Sequence, residues 1–293
     1  GYGYAVFSPF LDGPNGTPTG TVVSGAIATN TTWAKANSPY VVIGNVTVNS
    51  GVTLTIEPGV AVKFGGPYSM TVNGALNAQG TTTDHIVFTS NRPSPARGDW
   101  PGIQFNSGSA ASVLNYVDES YASTGATLSS VTIAGISNSA FQNNSNSGIF
   151  LNSSSPSITN VVTSSNNNYG IHLRDSSPSI TGVVAANNNI GICCDGSSAP
   201  NIAGSQIINN TALGVYVVAT SSPLINDSSI YGNTTYNLQI ATTNGAPIYV
   251  INNWWGTTDP AVISQKIYDN YDYSGHGYGY AVFSPFLDGP NGT

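Results

Sequence analysis

The first seventeen residues, Gly1 to Thr17, return unchanged as Gly277 to Thr293, GYGYAVFSPFLDGPNGT in both places. A single compact domain has no reason to begin and end on the same text. The offset from Gly1 to Gly277 reads as the unit of a tandem array, with residues 1–17 the tail of one module and 277–293 the tail of the next. The stretch carries apolar side chains suited to packing: Tyr4, Val6, Phe7, Phe10 and Leu11, repeated as Tyr280, Val282, Phe283, Phe286 and Leu287. These ten residues form the expected module junction. Strand-forming Tyr4 to Leu11 is expected to complete the open edge of a neighbouring module's first coil. Asp12 to Thr21 (DGPNGTPTGT) then serves as a connector too short for a loose tether.

A second, shorter period decides the fold. Pro156, Pro178, Pro200 and Pro223 recur at nearly equal intervals, and Gly148, Gly170, Gly191 and Gly214 recur in step with them. The interval is about 22 residues, and periods of about 20 to 50 residues mark solenoids. After each glycine the side chains alternate as in a strand with one buried face. Ile149, Ile171, Ile192, Val215 and Leu238 form one inward ladder, with Leu151, Leu173, Cys194, Val217 and Ile240 beside it. Phe150, His172, Cys193, Tyr216 and Gln239 point outward. Further inward ladders run through Ile158, Ile180, Ile202, Ile225 and Ile248, and end near Phe141, Ala185, Ile207 and Ile230. Asn144, Asn188, Asn210 and Asn233 follow three residues later, placed to hydrogen-bond from coil to coil. Three short strands in about 22 residues predict an all-β parallel β-helix of roughly 10 to 12 coils.

Composition agrees. Charged residues are 6% of the chain, too few to furnish the wet faces of helices, whereas Ser, Thr, Asn, Val and Ile suit strands and tight turns. Six basic against thirteen acidic residues leave a net charge of −7 and no basic stripe for nucleic acid. No apolar run approaches the roughly 20 residues of a membrane span. The chain divides into a junction (1–17), a connector and opening strand (18–32), irregular capping coils (33–130), regular coils (131–253) and a closing segment with the next junction (254–293). Trp33, Tyr40 and Trp100 are large enough to cover one end of the solenoid, Trp254 and Trp255 the other, and 261–270 predicts one short helical turn.

The stretches SPYVVIGNVTVNSGVTLTIEPGVAVKF, LNAQGTTTDHIVFTS and GDWPGIQF resemble the opening of secreted right-handed parallel β-helix repeat proteins of the pectin-lyase-like kind. The closing NNWWGTTDPAVISQKIYDNYDYSGHGYGYAVFSPFL is similar to the segment that ends such domains in microbial surface proteins. The resemblance spans residues 33–287 and implies this fold and export from the cell. Activity is left open by it, since such proteins include polysaccharide lyases and hydrolases, adhesins and surface-layer components.

The chemistry offered by the residues is thin. Pectin-active sites need several carboxylates with Arg or Lys on neighbouring coils, and the repeated region offers His172, Arg174, Asp175, Asp195 and Asp227. Two of these carboxylates at a corner read as turn residues, so no catalytic residue is assigned and the chain is read as a non-enzyme. His172 beside Cys193 lacks the further ligands of a soft-metal site. Cys194 reads as a core residue, and Cys193 as an exposed thiol able to join two filaments. Asp269 and Asp272, near His276 and Lys266, are weak candidates for a structural Ca²⁺, with an ion pair to Lys266 as the simpler reading. No other cofactor is expected. Asn15, Asn30, Asn45, Asn143, Asn152, Asn209, Asn226, Asn233 and Asn291 fit the N-x-S/T pattern of glycosylation. The expected partners are identical modules end to end, with lateral filament contacts or surface glycans besides. The expected function is a structural module of an extracellular fibre, stalk, sheath or surface layer; the alternative is a carbohydrate-binding adhesin or spacer, or a polysaccharide-active enzyme.

Overall fold

A computed structural model describes residues 20–272 and 275–290. The first junction copy, with Tyr4, Val6, Phe7, Phe10 and Leu11, lies outside the described residues, as do Asn15 and Asn291. The chain winds into about ten turns of 22–23 residues, and its strands pair in parallel. One regular coil consists of Ala140–Gln142, Ser147–Asn152 and Ser157–Thr159, and the next of Val162–Ser164, Tyr169–Arg174 and Ser179–Thr181. Like strands stack on like, which builds three ladders along the axis. Two of them are joined because Thr21–Ile27 and Tyr40–Val48 each run through a bend from one ladder into the other.

The predicted register holds. Ile149 pairs with Ile171, Ile171 with Ile192, Ile192 with Val215 and Val215 with Leu238, and all five are fully buried. Ile158, Ile180, Ile202 and Ile225 stack in the same way. The upstream coils bury larger groups, including Phe64, Phe88, Phe105 and Met70. Among the upstream strands, Ala75–Gln79 forms although its Ala, Asn and Gln carry little strand signal.

Each regular coil turns at three corners, and each of these corners contains a residue with positive φ. Asn143 (57°), Ser165 (57°), Asn187 (58°) and Asn209 (55°) occupy one; Asp175 (49°), Gly196 (68°) and Ala219 (57°) are among those at the second; Asn160 (53°), Gly182 (64°) and Asp227 (50°) are among those at the third. Asn, Asp and Gly tolerate this left-handed region best, which explains their recurrence. The residue after the first corner is the buried asparagine. The backbone N–H groups of Asn144, Asn166, Asn188 and Asn210 each donate to Oδ1 of the asparagine one coil on, all at 3.0 Å. The amide nitrogens of Asn166, Asn188, Asn210 and Asn233 reach back to the carbonyls of Phe141, Thr163, Ala185 and Ile207 at 3.0–3.2 Å. Buried serines do the same work elsewhere: Ser154 N–H donates to Ser176 Oγ (3.0 Å), and Ser176 N–H to Ser198 Oγ (3.1 Å). Corners that would otherwise bury bare N–H groups are thereby satisfied.

At the first coil Trp33 stacks on Tyr40, centroids 4.9 Å apart. Trp100 does not cover an end, as the sequence suggested. It is fully buried and stacked on Phe64 at 3.8 Å, held by its indole N–H to Ser120 O at 3.0 Å. The anticipated helical turn is Pro260–Gln265, capped by Asp259 Oδ1 accepting from Ala261 N–H at 2.9 Å. No helix among the described residues is long and apolar enough to cross a membrane.

Candidate functional site

The second junction copy docks on its own module. Tyr280–Val282 pairs in parallel with Pro247–Tyr249, in the register Tyr280 to Pro247, Ala281 to Ile248 and Val282 to Tyr249. Asn252 N–H donates to Pro285 O at 2.6 Å, and Leu287 N–H to Asn253 O at 3.0 Å. Ala281, Phe283 and Phe286 pack against the core, and Phe283 meets Trp255 edge-on at 6.5 Å. Trp255 is thus the aromatic that closes this end. Residues chosen from the sequence as a junction accordingly form the lid of the last coil.

Asp269 is the hinge pin of that lid. It is 5% exposed; its Oδ2 accepts from Ala281 N–H and its Oδ1 from Tyr271 N–H, both at 2.8 Å. Asp272 Oδ2 accepts from Asp269 N–H at 3.0 Å. Both carboxylates named as weak Ca²⁺ candidates are therefore engaged with backbone N–H groups, and no cluster of three potential ligands occurs among the described residues. The expected ion pair of Lys266 gives way to another arrangement. Its ammonium donates to the carbonyls of Asn233, Thr234 and Thr235 at 3.4, 3.0 and 3.3 Å.

Of the five chemistry-bearing residues in the repeated region, His172, Arg174 and Asp195 come together, while Asp227 sits at a turn with φ of 50°. Arg174 lies opposite Asp195 on adjacent coils, with both Nε and a terminal nitrogen 3.4 Å from Asp195 Oδ2. His172 Nε2 is 3.8 Å from the same oxygen. Burial lowers the His172 pKa, against the pull of Asp195, so the ring is neutral at pH 7. Asp175 sits at a corner, where its Oδ1 accepts from the N–H and the hydroxyl of Ser197, each at 3.0 Å. One carboxylate, a guanidinium and a neutral imidazole remain. A hydrolytic pair of carboxylates would require Asp175, which the turn already uses.

Cys193 corrects the reading of an exposed thiol. It is 3% exposed, in a small cluster with Ile190 and Leu213, and is flanked by Tyr169, Tyr216 and Tyr236. Burial raises its pKa to about 12, with Asp195 adding to the shift. A thiol without thiolate is a poor nucleophile, and a buried one is not presented for a disulfide to another chain. At pH 8 the folded chain is expected to react with an aromatic disulfide reagent roughly 100-fold more slowly than the urea-unfolded chain. Stoichiometric labelling of the native protein within minutes would contradict this burial.

Glu119 is a residue that sequence reasoning missed. In Val117–Ser120 it alternates inward with Val117, and it is 1% exposed. Its Oε2 accepts from Asn144 Nδ2 at 2.8 Å, so it terminates the asparagine ladder; its Oε1 has no partner. Desolvation raises its pKa well above the ordinary value. The strand alternation was the available signal.

Of the described glycosylation motifs, Asn30, Asn45 and Asn209 are exposed, while Asn143, Asn152 and Asn226 are half-buried. Asn233 is buried in the ladder with its amide nitrogen bonded to Ile207 O and Asn237 Oδ1, so the folded chain does not present it.

Comparison with known proteins accords with this geometry. Residues 124–255 match the family described as right handed beta helix region, and residues 25–115 the pectate-lyase like beta helix domain. A stretch of 66 residues is 38% identical to part of protein bark beetle of Drosophila melanogaster, covering 22% of this chain and 2% of that protein. The chain thus spans a small fraction of that relative's length. No solved structure matches. Parallel strands stacked at a constant period, and two such matches along their length, make the chain a right-handed, pectate-lyase-like parallel β-helix protein.

Proposed function

We propose that the chain is a structural module of an extracellular tandem-repeat fibre, in which rigid β-helical rods follow one another through the GYGYAVFSPFLDGPNGT segment. The observation that carries this reading is the recurrence of one text, first from Gly1 and again from Gly277, combined with the lid role of its second copy. A segment that seals one rod and then leads straight into another sets the rods in series. The β-helix fold itself fits a structural or a carbohydrate-related role. Continuous hydrogen-bond ladders along the axis resist bending, and the weakly charged flanks allow rods to lie side by side.

Electron microscopy of the native protein tests the proposal. At about 4.8 Å per coil, ten coils give an axial repeat of roughly 50–60 Å once lid and connector are included. Straight filaments with that repeat are the expected result; isolated rods or freely jointed beads would overturn it.

A second reading rests on a separate observation. Tyr169 stacks on His172 at 4.5 Å and Tyr236 lies 5.3 Å from Tyr268, so a strip of aromatic rings runs along the outward face beside the Arg174–Asp195 pair. Such a strip could stack sugar rings, and binding of a glycan on an array, lost in Tyr169→Ala, would favour the adhesin reading.

A further inference from the structure

The polar contacts of the lid run through its backbone. Gly279 N–H donates to Thr242 Oγ1 at 3.0 Å, and Gly279 O accepts from Asn270 N–H at 3.1 Å. Ala281 N–H is held by Asp269, Val282 O accepts from Val250 N–H at 2.9 Å, and Pro285 and Leu287 bond to Asn252 and Asn253. At Gly279 a Cβ would lie 2.4 Å from Ala246 O and 2.6 Å from Thr242 Oγ1, so the groove admits only glycine there. Apolar contacts come from Ala281, Phe283 and Phe286. Each requirement is met equally by residues 3–11, where Gly3, Ala5, Val6, Phe7, Pro9, Phe10 and Leu11 stand in the same order.

We propose that the groove between Thr242, residues 247–253 and Asp269 is a receptor for the sequence GYGYAVFSPFL from any chain, and that residues 3–11 of a second copy occupy it when the resident lid is displaced. The groove reads backbone positions, one obligatory glycine and two phenylalanines, and these are the features both copies share. Exchange links the last coil of one chain to the start of another without a covalent bond. The inference deepens the fibre reading and takes its biological sense from it, although the recognition stands on the groove alone. In the intact chain the resident lid is tethered to the groove at an effective concentration in the millimolar range, so it wins at micromolar protein.

The full-length chain allows a test because the two copies can be altered separately. In Ala281→Pro the resident lid loses the N–H that Asp269 grips, while Ala5 is untouched. This variant is expected to associate head to tail, with a weight-average mass in sedimentation at least about twofold that of the wild type at tens of micromolar. The double variant Ala5→Pro/Ala281→Pro is expected to remain monomeric. Monomeric Ala281→Pro, or a double variant that associates equally, would overturn the proposal. If circular dichroism shows that Ala281→Pro has unfolded, the gentler pair Phe283→Ser and Phe7→Ser/Phe283→Ser gives the same comparison. Failure here alongside straight native filaments of the expected repeat would remove exchange and leave the fibre reading intact. Association of Ala281→Pro alongside isolated native rods would do the reverse.

Discussion

Asn188→Ala is expected to lower the free energy of unfolding by roughly 3–5 kcal/mol, among the largest single-residue effects in the regular coils. The side chain accepts from Asn166 N–H at 3.0 Å and from Asn166 Nδ2 at 3.0 Å, and it donates to Thr163 O and Asn210 Oδ1 at 3.0 and 3.2 Å. All of these groups are buried, so truncation leaves donors and acceptors on two neighbouring coils without partners. Each orphaned group costs about 1–3 kcal/mol, while a single hydrogen bond in water would cost far less. Gly170 packs directly against this side chain, since a Cβ there would lie 2.6 Å from Gly191 O and 2.8 Å from Asn188 Nδ2. Urea unfolding should show a lower midpoint, whereas Thr181→Ala on the exposed face changes stability by no more than about 0.5 kcal/mol. Equal midpoints for Asn188→Ala and the wild type would mean that the ladder does not hold the corners.

Glu119 gives the second large effect, through pH. Its folded pKa is raised by desolvation, so between the ordinary carboxylate value and that raised value the folded chain binds a proton that the unfolded chain has lost. Its contribution is therefore fully present in acid and declines as pH rises, with a slope of up to about 1.4 kcal/mol per pH unit for one proton. Glu119→Gln keeps an oxygen for Asn144 Nδ2 and has no charge to bury. The variant should be more stable than the wild type above neutrality and should nearly match it near pH 4. Thermal melts from pH 4 to 9 measure this directly. Parallel curves for the two proteins would show that Glu119 has the same pKa in the folded chain as in the unfolded one.

Much of the coil architecture was legible because each coil repeats the same constraints. Pro156 and its successors, the glycines around Gly170 and the asparagines around Asn188 recur at one spacing, so each confirms the others. Asn166 completes the buried ladder. The functional face was less legible. Alternation places Cys193 outside, yet a small side chain among Tyr169, Tyr216 and Tyr236 is covered by its neighbours' rings. Strand alternation gives direction but does not measure the size of what flanks a position. Trp100 was misread for a related reason: bulk suggested an end, whereas stacking on Phe64 fills a wide coil. The lid could not be read from the sequence because its groove is assembled from Thr242, Asn252 and Asp269, which no period connects.

The corner ladders also bear on where such a rod can work. They are built from amides and hydroxyls, and the described ion pairs, such as Lys35 with Asp84, Arg92 with Asp99 and Arg174 with Asp195, lie at side-chain positions apart from the asparagine and serine stacks. Dissolved ions screen charges and leave neutral hydrogen bonds inside a dry corner almost untouched. The asparagine and serine stacks should therefore hold the coils together as firmly in brine as in fresh water.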